Sequence, residues 1–200
     1  MADNFVQSVY HTAVQLVSDK ALGGYLSNPC TDPMETIQMR EAIKTQFAHY
    51  ATHQVIDSTY YYRSTLFLSD MLPIADSFEA YTLDSNPYAA SNTVFNNTGV
   101  KDEEWYRETT ARTAYVFTNE ATDEFCIARK IINNYYIGPY NSNGTAVMVV
   151  SVARDQLENV FSSIPVTEGS GYAVLNEDGV ILYCSDSGIP REIYESARID

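Results

Sequence analysis

Apolar side chains at Phe5, Val9, Ala13, Leu16 and Val17 recur at helical spacing and predict a helix over 4–22. Gly23-Gly24 ends it, because glycine adopts the left-handed cap at no steric cost. Asp32, Pro33 and, three residues after the aspartate, Glu35 form a capping arrangement for a second helix. Its stripe runs Met39, Ile43, Phe47 and Tyr50. Together the two helices predict an N-terminal helical spine over 1–53.

The period then changes. Residues 55–68 (VIDSTYYYRSTLFL) are rich in β-branched and aromatic types and predict one or two strands. Tyr60 and Tyr62 share one face of that segment and Tyr61 and Arg63 the other, the inward face staying open. Residues 84–101 are small, polar and turn-prone, the composition of a surface loop. Asp102-Glu103-Glu104 places acids in the first turn of a short helix, where the macrodipole favours them. That helix carries Trp105, Tyr106 and Arg112. Strands follow at 114–118, 123–132 and 145–152, the last introduced by an Asn143-Gly144 turn. A helix over 153–161 gathers Leu157, Val160 and Phe161 on one side. Two strands, 171–175 and 180–184, flank Asn176-Glu177-Asp178-Gly179, and a final helix starts at Pro190. The order predicts an α+β chain with two lobes of unequal size.

Charge narrows the partners. Twelve Lys+Arg stand against 26 Asp+Glu, a net charge of −14. A field of that sign repels phosphate backbones and anionic headgroups, so no nucleic acid or membrane surface is expected as a partner. Sixteen tyrosines against one tryptophan suit either pocket walls or half-exposed sheet faces. Cys30, Cys126 and Cys184 have no metal-type spacing; Cys126 and Cys184 read as small core residues. His49 and His53 are four apart on a helix but lack the glutamate of a zinc motif, so no metal is expected. No run of about 20 apolar residues is present, and the chain reads as an excerpt from a longer protein.

Catalysis is not expected. GxSxG, phosphate-loop and dinucleotide patterns are all missing, and no cofactor is implied. Glu103-Glu104 and Glu177-Asp178 are sequence neighbours, which diverge on a helix instead of converging as an acid–base pair.

The long N-terminal helix, the Trp105-Tyr106…Arg112 helix, the run from Gly144 to Val152 leading into Asp155-Gln156-Leu157, and the pattern Tyr172, Val174, Asn176, Gly179, Ile181 resemble a double Cache domain. The resemblance spans the chain and is nearest to extracellular sensors of Gram-positive membrane histidine kinases. It implies a membrane-distal PAS-like lobe with an antiparallel sheet over 54–152 and a membrane-proximal PAS-like lobe over 153–200, the spine and last helix joining transmembrane segments. It further implies a receptor that binds a small polar organic ligand in the distal lobe and pairs as a homodimer through its spine. A chemoreceptor parent, or a cell-surface module binding protein or glycan, are the alternatives.

One Cache subset binds amino acids through Arg-x-Trp-Tyr. Here Glu103 stands at the arginine position, which puts that ligand class in doubt. Trp105 is either the lid of a pocket or a core seal, and at most one of Trp105 and Tyr106 faces the pocket. Arg112, two helical turns from Trp105, could clamp an anion or simply be solvated. Arg129 lies among Phe125, Ile127 and Ile131 on one strand face, where a cation needs a partner. Tyr60, Tyr62 and Asp123 complete the candidates, Asp123 being equally a turn residue.

Overall fold

The computed structural model describes residues 32–51, 55–56, 60–61, 63–68, 78–81, 92–131, 146–162, 167, 171–175, 178–179 and 181–185. The expected helices over 4–22 and from Pro190, the Asn143-Gly144 turn, Tyr62 and His53 lie outside them. Of Tyr60 and His49 only the backbone is described.

Within the expected spine, the helix described is α1 (Pro33–Ala51). The Met34 amide donates to the Asp32 carboxylate at 2.8 Å, so Asp32 caps the helix as its sequence position implies. Met39 and Ile43 are fully buried, while Met34 and Ile37 are exposed.

The centre of the molecule is a six-stranded mixed sheet formed by β3 (Arg63–Leu68), β4 (Phe78–Tyr81), β5 (Asn92–Asn96), β6 (Ala114–Asn119), β7 (Glu124–Ile131) and β8 (Ala146–Ala153). The strand order is β4-β5-β3-β8-β7-β6. Before it, β1 (Val55–Ile56) and β2 (Tyr60–Tyr61) form a short antiparallel pair. Two features depart from expectation. The sheet is not wholly antiparallel, since β3 and β5 run parallel. And β5 falls inside the segment expected to be a loop: Val94 is buried, and Thr93 and Phe95 alternate with it, but flanking asparagines hide this short strand. Tertiary pairing outweighs local propensity here.

The central strand β8 is buried along all but its last residue. A continuous run of this kind (AVMVVSVA) is what a strand covered on both faces requires. On one face Leu66, Leu68, Met148, Val150 and Val152 are buried, each at about 1.5–3 kcal/mol of transfer free energy. Helix α3 (Arg154–Phe161) packs against β7 and β8, burying Leu157, Val160 and Phe161, the side expected from its periodicity. The opposite face is covered by α2 (Glu104–Arg112), which packs on β6, β7 and β8. A second, two-stranded sheet of β9 (Ala173–Leu175) and β10 (Ile181–Cys184) follows, with Gly179 at φ 75° as its hairpin position suggests. It meets α3 through Phe161 and Tyr183, stacked at 5.3 Å, and through the Tyr172 hydroxyl, which donates to the Phe161 carbonyl.

The turn from α2 into β6 stores strain. Thr113 has φ 83° and ψ −33°, with its amide donating to the Thr109 carbonyl at 2.8 Å. A β-branched residue at positive φ costs on the order of 1–3 kcal/mol. Thr113→Gly is therefore expected to raise stability by about 1 kcal/mol, read as a higher urea midpoint at unchanged slope.

Candidate functional site

Strand pleating decides which side chains meet beneath α2. Opposed residues on neighbouring strands share a face. Registers Arg63↔Ser151, Ser151↔Cys126 and Cys126↔Phe117 therefore put these four side chains in one row. Thr65, Phe67, Thr93, Phe95 and Val149 extend the same face, and α2 lies over its β6–β8 part. Between helix and sheet lies a cavity of about 560 Å³. That is the size range of small-molecule sites.

The cavity has two ends of different character. Its aromatic end is built around Trp105, whose ring stacks on Phe117 at 5.0 Å and 10° and meets Phe67 at 5.5 Å. Phe67 in turn stacks on Phe95 at 5.7 Å. Beneath these, Tyr106, Cys126, Ala128, Val147 and Val149 form a buried cluster. The polar end holds Arg63 and Glu124, joined Nη2 to Oε2 at 2.6 Å, with side chains 23% and 4% exposed. The Thr122 hydroxyl also donates to Glu124, at 2.8 Å. Ser151, Thr118, Asn119 and the exposed Glu103 and Glu120 complete the lining. One polar atom on a lining residue of the cavity face, Arg63 Nε, is buried without a hydrogen-bond partner among the described residues. Such an atom is uncommon in folded proteins and suits a site that receives a polar ligand group.

Cys126 lines the cavity as a buried thiol. Its Sγ lies 3.4 Å from Ser151 Oγ, and burial pushes its thiol from 9.0 up to about 12. Alkylation near pH 8 is expected to leave Cys126 unlabelled until urea unfolds the chain, as mapped by mass spectrometry. A folded-state value above the unfolded one stabilises the fold below the unfolded value and loses that contribution as pH rises through the folded one. Burial, with Tyr183 beside it, also raises Tyr172 to about 12. The urea midpoint is thus expected to fall as pH climbs from about 9 towards about 12.

The structure sorts the candidates read from the sequence. Trp105 lines the cavity, and Tyr106 turns into the core cluster below it, meeting Trp105 edge-on at 5.6 Å. Arg112 is not in the cavity lining. Its Nε meets Glu108 at 2.8 Å and its Nη1 meets Asp178 at 2.6 Å, tying α2 to the turn between β9 and β10. Seven helical residues do restore the same azimuth, but they carry Arg112 about 10 Å along the axis, past the cavity. Arg129 is opposite Met148 and Ala114, on the sheet face away from the cavity, because the cavity face of β7 takes 124, 126 and 128. Asp123 is a turn residue at φ 52°, exposed and 3.5 Å from Arg154. For Tyr60 and Tyr62 no side chain is described.

Arg63, placed by the sequence only on one face of its strand with Tyr61, and Glu124 are the residues that the sequence reading undervalued. A carboxylate opening the apolar strand EFCIARKI signals a buried charge that needs a partner. That reasoning had been applied to Arg129 alone. No group of three or more His, Cys, Asp or Glu side chains among the described residues could hold a metal ion. No protein-family model matches the chain, and no curated protein or solved structure matches it either.

Proposed function

We propose that the chain is a ligand-sensing domain of a transmembrane receptor, of the tandem PAS-like Cache kind, with its small-molecule site beneath α2. One observation carries this reading: an aromatic-walled cavity of about 560 Å³ whose floor holds a part-buried Arg63–Glu124 pair. A concave, half-open cavity also favours a sensor over a surface interaction module, which needs a contiguous exposed aromatic patch. Among the described residues Phe95, 38% exposed, is the one exposed aromatic core-type side chain.

The arrangement also supports a route for a signal. Helix α2 carries Trp105 in the cavity at one end and Arg112 on Asp178 at the other. A ligand that repositions Trp105 would bias α2, and α2 is tied to the smaller sheet. Binding then acts by favouring one arrangement of the two sheets over another. In the parent receptor, which we read as a sensor histidine kinase on the outer side of the cell membrane, two copies would pair along their N-terminal helices. No helix among the described residues is long and apolar enough to cross a membrane; in this reading such spans flank the chain.

A thermal-shift screen of the chain against amino acids, sugars, carboxylates, amines and nucleobases tests the proposal. A ligand at 100 times its dissociation constant is expected to add about 2.7 kcal/mol. Stabilisation by none of these, together with capture of a protein or glycan through the Phe95 surface, would reject the sensor reading.

A further inference from the structure

The cavity lining holds four ionised side chains: Arg63, Glu103, Glu120 and Glu124. They are not equivalent. Arg63 and Glu124 neutralise each other across 2.6 Å, and the guanidinium is held on the floor by that contact. Glu103 and Glu120 are exposed, so they stand at the solvent edge of the cavity. Among the described residues neither takes part in an ion pair. Two uncompensated carboxylates therefore look onto a cavity walled by Trp105 and Phe117.

We infer that the site selects an organic cation, an ammonium group carried on an aromatic or apolar body, an inference that rests on this cavity being the ligand site. Three features agree on that sign of charge. The edge carboxylates attract an ammonium, which reaches them while its body lies against the Trp105–Phe117 wall. Aromatic rings attract cations through their quadrupole, tryptophan most strongly. The net charge of −14 raises the local concentration of cations and depletes anions near the mouth. An anion, by contrast, would have to pass Glu103 and Glu120 to reach a guanidinium whose charge is already matched by Glu124 at Nη2, with its buried Nε left to donate. Glu124 is 4% exposed, so detaching Arg63 from it would strand a buried charge.

Three probes of matched shape separate charge from fit: phenethylammonium, 3-phenylpropanamide and 3-phenylpropionate, titrated calorimetrically into the full chain. The cation is expected to bind at least roughly tenfold more tightly than the propionate. The double variant Glu103→Gln/Glu120→Gln changes only exposed side chains and keeps the fold. It should weaken phenethylammonium roughly tenfold, the sum of two exposed charge contacts, and leave the amide unchanged. Raising ionic strength from about 0.01 M to 0.15 M shortens the screening length from about 30 to 8 Å and should weaken the cation alone. The inference is overturned if the propionate binds as tightly as the cation, or if the double variant binds phenethylammonium as wild type does. Binding of the amide or propionate as tight as that of the cation, with a change in Trp105 fluorescence, would remove the charge selectivity and keep the cavity. Silence from all three probes overturns the cation inference and leaves the cavity to be judged by the wider screen.

Discussion

Replacing Arg63 by methionine is expected to lower unfolding free energy by about 3 kcal/mol. Methionine keeps the side-chain length and the apolar packing of the stem. What it removes is the partner of Glu124, a carboxylate 4% exposed whose remaining described side-chain donor is the Thr122 hydroxyl. Breaking a buried pair from one side costs about 3–5 kcal/mol, since the surviving charge stays desolvated. Arg63 is 23% exposed, so solvent screens part of the interaction and the lower end applies. The double variant Arg63→Met/Glu124→Leu removes both charges and is expected to recover most of the loss. Urea melts of the four proteins close a double-mutant cycle. A single-variant loss within 0.5 kcal/mol of zero would show the pair to be no more than a surface contact.

Trp105→Ala is expected to cost about 2–3 kcal/mol and to abolish every ligand-induced stabilisation. The ring contacts Phe67, Tyr106 and Phe117, so its removal opens the aromatic end of the cavity and exposes Phe117. Full burial of a tryptophan is worth more, about 3–5 kcal/mol, but this ring is half-buried. The sheet below is held by Leu66, Met148 and Val150 on its far face, so the variant stays folded. Trp105→Phe keeps an aromatic wall and is expected to retain most stability with weakened binding. Circular dichroism follows the melts, because Trp105 is the sole tryptophan.

How far these residues were legible in the sequence follows from what each segment hides. The buried strand β8 is a nearly unbroken apolar run, and its partner β7 shows mostly apolar residues, so both were readable within a residue or two. Helix α2 announced itself by acids at its start, and Trp105 by being the one tryptophan on it. Strand β5 was hidden because its asparagine ends look like turn residues and its pairing comes from β3 and β4, distant in sequence. The cavity face was hidden for a related reason. Alternation within a strand says which residues share a face but not which face is covered by which helix. Arg129 and Arg63 looked alike on that evidence, and only the register Arg63↔Ser151, with Glu124 in reach, separates them. The Arg112–Asp178 contact joins residues 66 apart and leaves no local signal at all.

The central claim is that a small molecule occupies the space beneath α2, and the chain carries its own reporter there. Trp105 is its only tryptophan and lines the cavity, so indole emission reads occupancy of that site alone. Each compound that raises the melting temperature should be titrated while Trp105 emission is followed under selective excitation. The expected result is a saturable change in intensity or wavelength whose midpoint matches the calorimetric dissociation constant, with one ligand bound per chain. A stabilising compound that leaves Trp105 emission unchanged through saturation binds elsewhere, and that result would contradict the account.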